Sequence, residues 1–340
     1  MTDLVPALKE LMATYRRARG GRHISDTIEA VTVLSDMFLG RRPTQPGYLS
    51  KQHLRRAYVE YYLPLNACKV ARILDEMARY AGPFLRGTLR VLDYGCGPGT
   101  AALAFRLWGG RASRLVLADV VEEALDEAEA LLGPTFERAA EAPPGPFDVI
   151  FASNVLVELG DAGRFEPLLE RLDPRGYAVV VEPPTAECAR RLMEWRDRLV
   201  ERGWRVAAPC LGIARCPMRA MPDLWCHQDA GWSPPGWVNE IDDRIGRVHE
   251  TLKYSYLVLT REGATLAEGA DWRLVSNLHR SKGRAWAHLC GHEGDLWKAQ
   301  ALTRDREELR DFFRCDRGDL LRVQGPAGGR LGPDHRIRRE

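Results

Sequence analysis

Val91-Leu92-Asp93-Tyr94-Gly95-Cys96-Gly97-Pro98-Gly99-Thr100 reads as the end of an apolar strand, a glycine turn and the first residue of a helix. A G-x-G pair alone says little, because tight strand-to-helix turns need glycine for steric reasons. Three neighbours sharpen it. Asp93 precedes the glycines, Pro98 sits inside the turn, and Asp119 closes the next apolar run about 20 residues on. An acid at that place suits a ribose, since a carboxylate accepts two hydrogen bonds from a cis-diol. The competing dinucleotide loop, G-x-G-x-x-G, is spaced to seat a pyrophosphate on a helix N-terminus. Here the loop is G-x-G-x-G, with a proline inside and an aspartate ahead.

Strand and helix patterns alternate from this loop onward. LRVLDYG (89–95) leads into AALAFRLW (101–108), and RLVLADV (114–120) into the acidic EEALDEAEALL. FDVIFASNVL (147–156) runs into a helical stretch around 162–172, and YAVVVEPP (177–184) into AECARRLMEWRDRLVERG. This rhythm predicts an α/β fold with a mostly parallel sheet and helices on both faces. WRVAAP (204–209) and KYSYLVLT (253–260) read as two more strands, separated by an irregular segment rich in Pro, Gly and Trp.

Residues 1–84 read as an N-terminal helical domain. Apolar residues at 4, 8, 11, 12 and 15 have helical spacing, and 24–39 repeat the pattern. A Pro/Gly loop (41–50), a long amphipathic run (51–80) and a break at Gly82-Pro83 follow. The sheet domain is expected over 85–260, with a cysteine-rich insertion at 210–252. A small β-rich appendix (261–325) and a flexible tail (326–340) complete the chain.

At 340 residues and 38.3 kDa, with 45% hydrophobic and 28% charged residues, the chain is too long for one compact core and ordinary for two. No apolar run approaches the length of about 18 residues that a membrane span needs. Asp3 and Glu10 near the start fit neither a secretory signal nor an acid-poor transit peptide, so a cytoplasmic protein is expected; the expected oligomeric state is a monomer. A net charge of +2 supplies no bulk basic field, yet only six of the 49 basic residues are Lys. Arg grips phosphate and stacks on bases, so local clusters matter: Arg16-Arg17-Ala18-Arg19 with Arg22 and His23, His279-Arg280-Ser281-Lys282-Gly283-Arg284, and the tail 336–339. Lys253, Tyr254 and Tyr256 are also open to an RNA contact, but alternation across 254–259 favours a core strand.

Of eight cysteines, Cys68, Cys96, Cys188 and Cys315 are scattered and read as small packed hydrophobes. Cys210, Cys216 and Cys226 are bunched as C-x5-C-x9-C in one stiff loop. Paired C-x2-4-C zinc hooks are absent. Widely spaced thiolates suit a [4Fe–4S] cube, with zinc and plain packing as alternatives. A fourth ligand has to come from elsewhere; Cys290 is the first candidate, with His227, His288 and His292 in reserve.

The loop resembles motif I of class I S-adenosylmethionine-dependent methyltransferases. That resemblance implies that Gly95, Gly97 and Gly99 let the backbone approach the cofactor, that Asp93 faces its cationic amino-acid portion, that Asp119 holds its ribose and that Asn154 lies near the methyl donor. The N/D-P-P-Y tetrad of amino-group methyltransferases is absent from FDVIFASNVL, as is the cysteine of cytosine-C5 enzymes, which leaves catalytic residues unnamed. P-C…C-P…W-C-H followed by RVHETLKYSYLVL, together with residues 41–76 and L-C-G-H-E-G, resembles the mitochondrial small-ribosomal-subunit assembly methyltransferase-like family and its stand-alone bacterial relatives. This second resemblance implies a class I methyltransferase (Rossmann-like) sheet and a [4Fe–4S] cluster on Cys210, Cys216, Cys226 and Cys290. It also implies an S-adenosylmethionine pocket and binding to small-subunit rRNA during ribosome assembly.

Overall fold

The computed structural model describes residues 2–20, 24–41, 47–160 and 162–340. Arg22, His23 and residues 42–46 of the 41–50 loop lie outside these. The N-terminal part is helical: α1 (Val5–Arg19), α2 (Ile24–Phe38), α3 (Gln52–Ala57) and α4 (Leu63–Leu85). Between α3 and α4 the chain widens into a π turn at Tyr58–Tyr62. The break expected at Gly82-Pro83 is only a kink: Ala81 leaves helical geometry and α4 runs on to Leu85. Proline tolerates this because the carbonyl it would crowd lies at the distorted turn.

The sheet then forms from β1 (Thr88–Tyr94), β2 (Arg111–Ala118), β3 (Glu137–Ala139), β4 (Phe147–Ser153), β5 (Leu172–Glu182), β6 (Arg205–Ala208), β7 (Gln228–Gly231) and β8 (Thr251–Thr260). The strand order is β3-β2-β1-β4-β5-β8-β6, with β7 pairing outside this path on β8. β1 to β5 are mutually parallel, and β8 runs antiparallel to both β5 and β6. A parallel sheet whose penultimate strand alone is reversed is the class I methyltransferase arrangement.

Side chains alternate across this sheet with the two-residue period of strands. Val91, Val149, Phe151, Val179 and Val258 pack towards the N-terminal helices, α5 (Thr100–Trp108) and α6 (Glu122–Leu132). Leu92, Ile150, Val180 and Leu257 pack on the other face, against short α7 (Leu156–Leu159) and α8 (Glu166–Leu169) and the long α9 (Ala186–Glu201). Tyr254 and Tyr256 are buried in β8, so the core reading of that strand holds. The segment between β6 and β8 is more ordered than expected, since it contains β7 and α10 (Gly236–Ile245).

The C-terminal part is a second sheet with its own core. It is built from β9 (Trp272–Leu274), β10 (His279–Ser281), β11 (Arg284–Gly291), β12 (Leu296–Leu302), β13 (Leu320–Gln324), β14 (Arg330–Leu331) and β15 (Arg336–Arg339), with α11 (Arg310–Phe313) against it. The expected flexible tail differs from this: β14 pairs with β12, and β15 pairs with β13 over Gln324–Leu321. Backbone hydrogen bonds hold those residues although their side chains are charged. Among the described residues, no helix is long and apolar enough to cross a membrane.

Arg273 on β9 locks the modules together. Its guanidinium lies 2.8 Å from the Glu76 carboxylate on α4 and donates to the Tyr256 hydroxyl on β8 (3.0 Å) and the Pro209 carbonyl after β6 (3.2 Å). The residue is buried. Removing one partner of a buried ion pair leaves the other uncompensated, at a cost of about 3–5 kcal/mol. Arg273→Ala should therefore lower the urea midpoint by a corresponding amount; an unchanged midpoint would show that the network is incidental.

Candidate functional site

At the C-terminal end of β1 the chain turns through Gly95, Gly97 and Gly99, with φ of 61°, 51° and 76°. Gly95 has no substitute: its φ disfavours a side chain, and a Cβ there would come within 2.5 Å of Val155. The turn is fixed by acids from both sides. Asp93 is buried and accepts the Ala102 amide at 2.8 Å, so its carboxyl is directed at the first turn of α5. Asp119, just past β2, accepts the Gly97 amide at 2.7 Å and the Val121 amide at 2.9 Å. Asn154, past β4, has φ +60°, and its amide donates to the Val181 carbonyl at 2.7 Å. The loop, Asp119 and Asn154 thus share one end of the parallel strands, where α/β sheets bind ligands.

Two further carboxylates at this end escaped the sequence reading. Glu158 on α7 accepts the Tyr48 hydroxyl at 3.3 Å. Glu182, buried at the end of β5, accepts the Leu156 and Val157 amides at 2.9 and 3.1 Å. An acid closing the apolar run YAVVVE was the available signal for Glu182. Burial, followed by repulsion from Asp119, pushes the Asp93 and Glu158 carboxyls up to about 7 each. Burial, with Glu158 nearby, pushes Glu182 up to about 8. Burial also raises Asp119. Carboxyls with raised pKa gathered at one strand end are stabilised in their ionised form by a cation placed beside them.

The helical part covers this site. Leu49 Cδ1 stands 3.3 Å from where a Cβ on Gly97 would be. The turn carrying Tyr48 and Leu49 is pinned by Arg55, which donates to the Leu49 and Ser50 carbonyls at 2.7 and 2.9 Å.

A second constellation lies between the two sheets. Cys210, Cys216, Cys226 and Cys290 line one cavity, together with Arg196, Arg273 and His292. Two residues of α9 shape the loop that carries the first two thiols. Buried Arg196 donates to the Gly212 and Ala214 carbonyls at 2.7 and 2.6 Å. Asp197 accepts the Cys216 amide at 3.2 Å and Arg219 at 2.8 Å. The appendix presses so closely on this loop that a Cβ on Gly212 would stand 2.0 Å from the His292 carbonyl oxygen. Cys290 arrives on β11, directly opposite Arg273 of β9.

Burial and the neighbouring thiols push Cys290 up to about 12 and Cys226 up to about 11, with Arg196 and Arg273 working in the opposite direction. Cys216 is raised further for the same reasons. His292 Nε2 donates to the Ala270 carbonyl (2.7 Å), and His227 faces the Trp225 carbonyl and Arg317. Among the described residues, no three His, Cys, Asp or Glu side chains are gathered tightly enough to hold a single metal ion. Cys68, Cys96 and Cys315 are buried and Cys188 half-buried, all away from this cavity.

Solved structures similar to this chain include the magnesium protoporphyrin IX methyltransferase of Synechocystis PCC 6803 with bound S-adenosylmethionine (14% identity, 68% of this chain and 97% of that one, TM-score 0.41). Others are an S-adenosylmethionine-dependent methyltransferase of Leishmania major (16%, 64% and 79%, 0.40) and a ribosomal protein L11 methylase of Lactobacillus delbrueckii subsp. bulgaricus (17%, 57% and 78%, 0.34). The fold assignment stands on the strand order itself. No curated protein matches the chain significantly. The family model described as mitochondrial small ribosomal subunit Rsm22 matches residues 53–322, which span the π turn, the glycine loop, all four clustered cysteines and most of the second sheet. The chain belongs to the Rsm22 family.

Proposed function

We propose that the protein is an S-adenosylmethionine-binding, methyltransferase-like factor that acts on the RNA of the small ribosomal subunit during its assembly and carries a structural [4Fe–4S] cluster. The observation that carries this reading is the union, in a family named for the small subunit, of a carboxylate-ringed glycine loop with a four-thiol cavity. Its cytoplasmic location and monomeric state belong to the same proposal.

In this reading Gly95, Gly97 and Gly99 admit the cofactor's backbone-facing side, Asp119 holds the ribose and Asn154 borders the reacting end. Bound there, S-adenosylmethionine supplies an electrophilic methyl group on a sulfonium. The chain's own part is to orient that cation by its carboxylates and to exclude water, for which the Tyr48–Leu49 turn is suitably laid. No base is assigned.

The cavity's donor set fits a cluster. Four thiols in one enclosed space cannot all ionise without positive charge, and Arg196 and Arg273 provide part of it. A single zinc would need the sulfurs about 2.3 Å from one point. A cube asks each thiolate only to reach its own corner, which suits a wider ring. The cluster would supply cross-linking rather than chemistry, because its ligands come from both sheets.

Three outcomes follow. Asp119→Ala should weaken S-adenosylmethionine by about 2–3 kcal/mol in calorimetry; unchanged affinity removes the ribose assignment. Affinity for S-adenosylmethionine should rise as pH climbs through about 7, the value to which Glu158 is raised, because a cation favours the ionised carboxyl. The uncharged thioether S-adenosylhomocysteine should show a weaker rise, and identical profiles would sink the electrostatic account. Protein prepared without air should be brown, with about four irons per chain. Cys290→Ser should lose that iron and open residues 261–340 to protease while 89–200 stay folded. A colourless preparation with one zinc would replace the cluster by the zinc alternative. The function itself is tested by co-sedimentation with small subunits, and by transfer of labelled methyl to particle-bound versus naked rRNA.

A further inference from the structure

The arginine-rich stretches differ in what they do with their charge. Arg16 meets Glu60 at 3.4 Å and Arg19 meets Glu127 at 3.3 Å. In the tail, Arg339 meets Asp319 at 2.9 Å and Arg338 meets Glu340 at 3.7 Å. These charges are matched within the chain.

The face formed by β10, β11 and β12 is organised otherwise. Register places His279 opposite Trp286, Trp286 opposite Gln300, and His288 opposite Lys298. Along β11 the alternate residues Ala285, Ala287 and Leu289 are buried, so Trp286 and His288 belong to the outward row. The His279 ring lies flat on Trp286, with centroids 4.0 Å apart and planes 16° from parallel. Lys298 Nζ stands 4.4 Å from the centre of the same indole, and His288 meets its edge at 5.5 Å. His288 Nδ1 is enclosed and makes no hydrogen bond. Lys282 and Arg284 are exposed at the hairpin tip.

Lys298 and Gln300 also line a cavity of about 580 Å³, with Arg330, Trp272, Trp297 and one carboxylate, Asp295. That volume is in the range of small-ligand sites. A stacked aromatic pair, flanked by cations and opening beside such a cavity, matches how unpaired bases are held: rings stack on rings while Lys and Arg take the phosphates. A duplex keeps its bases inside and offers nothing to extend the stack.

We infer that the His279–Trp286 stack and Lys298 form a platform for single-stranded RNA, on which one base extends the stack and the adjoining phosphates meet Lys298, Lys282 and Arg284. This rests on the reading that the protein's partner is small-subunit RNA, and it names the surface.

The test uses the full chain and a fluorescent oligouridylate of about ten nucleotides, free or annealed to its complement, read by anisotropy. Wild-type protein should prefer the single strand. Trp286→Ala should weaken binding about ten-fold or more with the salt slope unchanged, and Trp286→Phe should restore most of it. His279→Ala, an exposed change that spares the fold, should weaken binding in the same direction. Lys298→Gln should reduce the salt slope by about one. Equal affinity for the duplex, or wild-type affinity in both His279→Ala and Trp286→Ala, overturns the platform. Co-sedimentation separates this from the functional reading. If wild type pellets with small subunits and the His279→Ala/Lys298→Gln variant pellets equally well, the platform fails alone. If wild type binds no subunit, the functional reading fails while the oligonucleotide result still judges the platform.

Discussion

A single buried guanidinium sets the relation between the parts of this molecule. Arg273 sits on a strand of the second sheet, yet its partners are a carboxylate of the helical region, a hydroxyl of the first sheet and a carbonyl at the mouth of the cysteine loop. A guanidinium is planar and stays charged, so it meets three acceptors in directions fixed by its plane, which the rotating ammonium of a lysine does not provide. Because Cys290 stands across the ladder from Arg273, the contact that aligns the sheets also delivers the fourth thiol to the other three. Position of the appendix and composition of the cavity are thus one constraint.

The cofactor-type end of the sheet obeys a different economy. Its acids are held by backbone amides and by burial rather than by cations, and they crowd one another. A cation entering there favours their ionised forms, whereas in the cysteine cavity Arg196 and Arg273, already paired with Asp197 and Glu76, stand beside thiols whose pKa burial raises. The two regions lie on one chain, and the helices α4 and α9 pack on opposite faces of the first sheet.

Much of this was legible in the residues. Alternation in FDVIFASNVL and YAVVVEPP marked buried parallel strands, and the glycines marked the turn from β1 into α5, because strand period and turn geometry are local properties. What escaped depends on distant partners. Nothing in DWRLVSNL says that its arginine reaches Glu76, and nothing in the amphipathic helix AECARRLMEWRDRLVERG says that Arg196 and Asp197 brace Gly212, Ala214 and Cys216. The helix Gly236–Ile245 was obscured by Ser233-Pro234-Pro235, which reads as loop but serves as its entry. The tail strand Arg336–Arg339 carries no apolar pattern at all; only pairing with β13 makes it a strand. Three of the four thiols could be gathered by their spacing; the fourth, Cys290, was the first of several candidates, because its place in the cavity depends on a contact between distant segments.

The strand order also imposes a sequence in time. β8 lies between β5 and β6, yet it is the last of the three to leave the ribosome. Until Thr260 has emerged, β6 lacks its ladder partner in the sheet and one edge of β5 stays open. The cysteine loop, already outside, then hangs between an unplaced strand and a strand not yet made. Closure of the first sheet is therefore a late event in synthesis, and the thiols at 210, 216 and 226 spend the interval without the fourth.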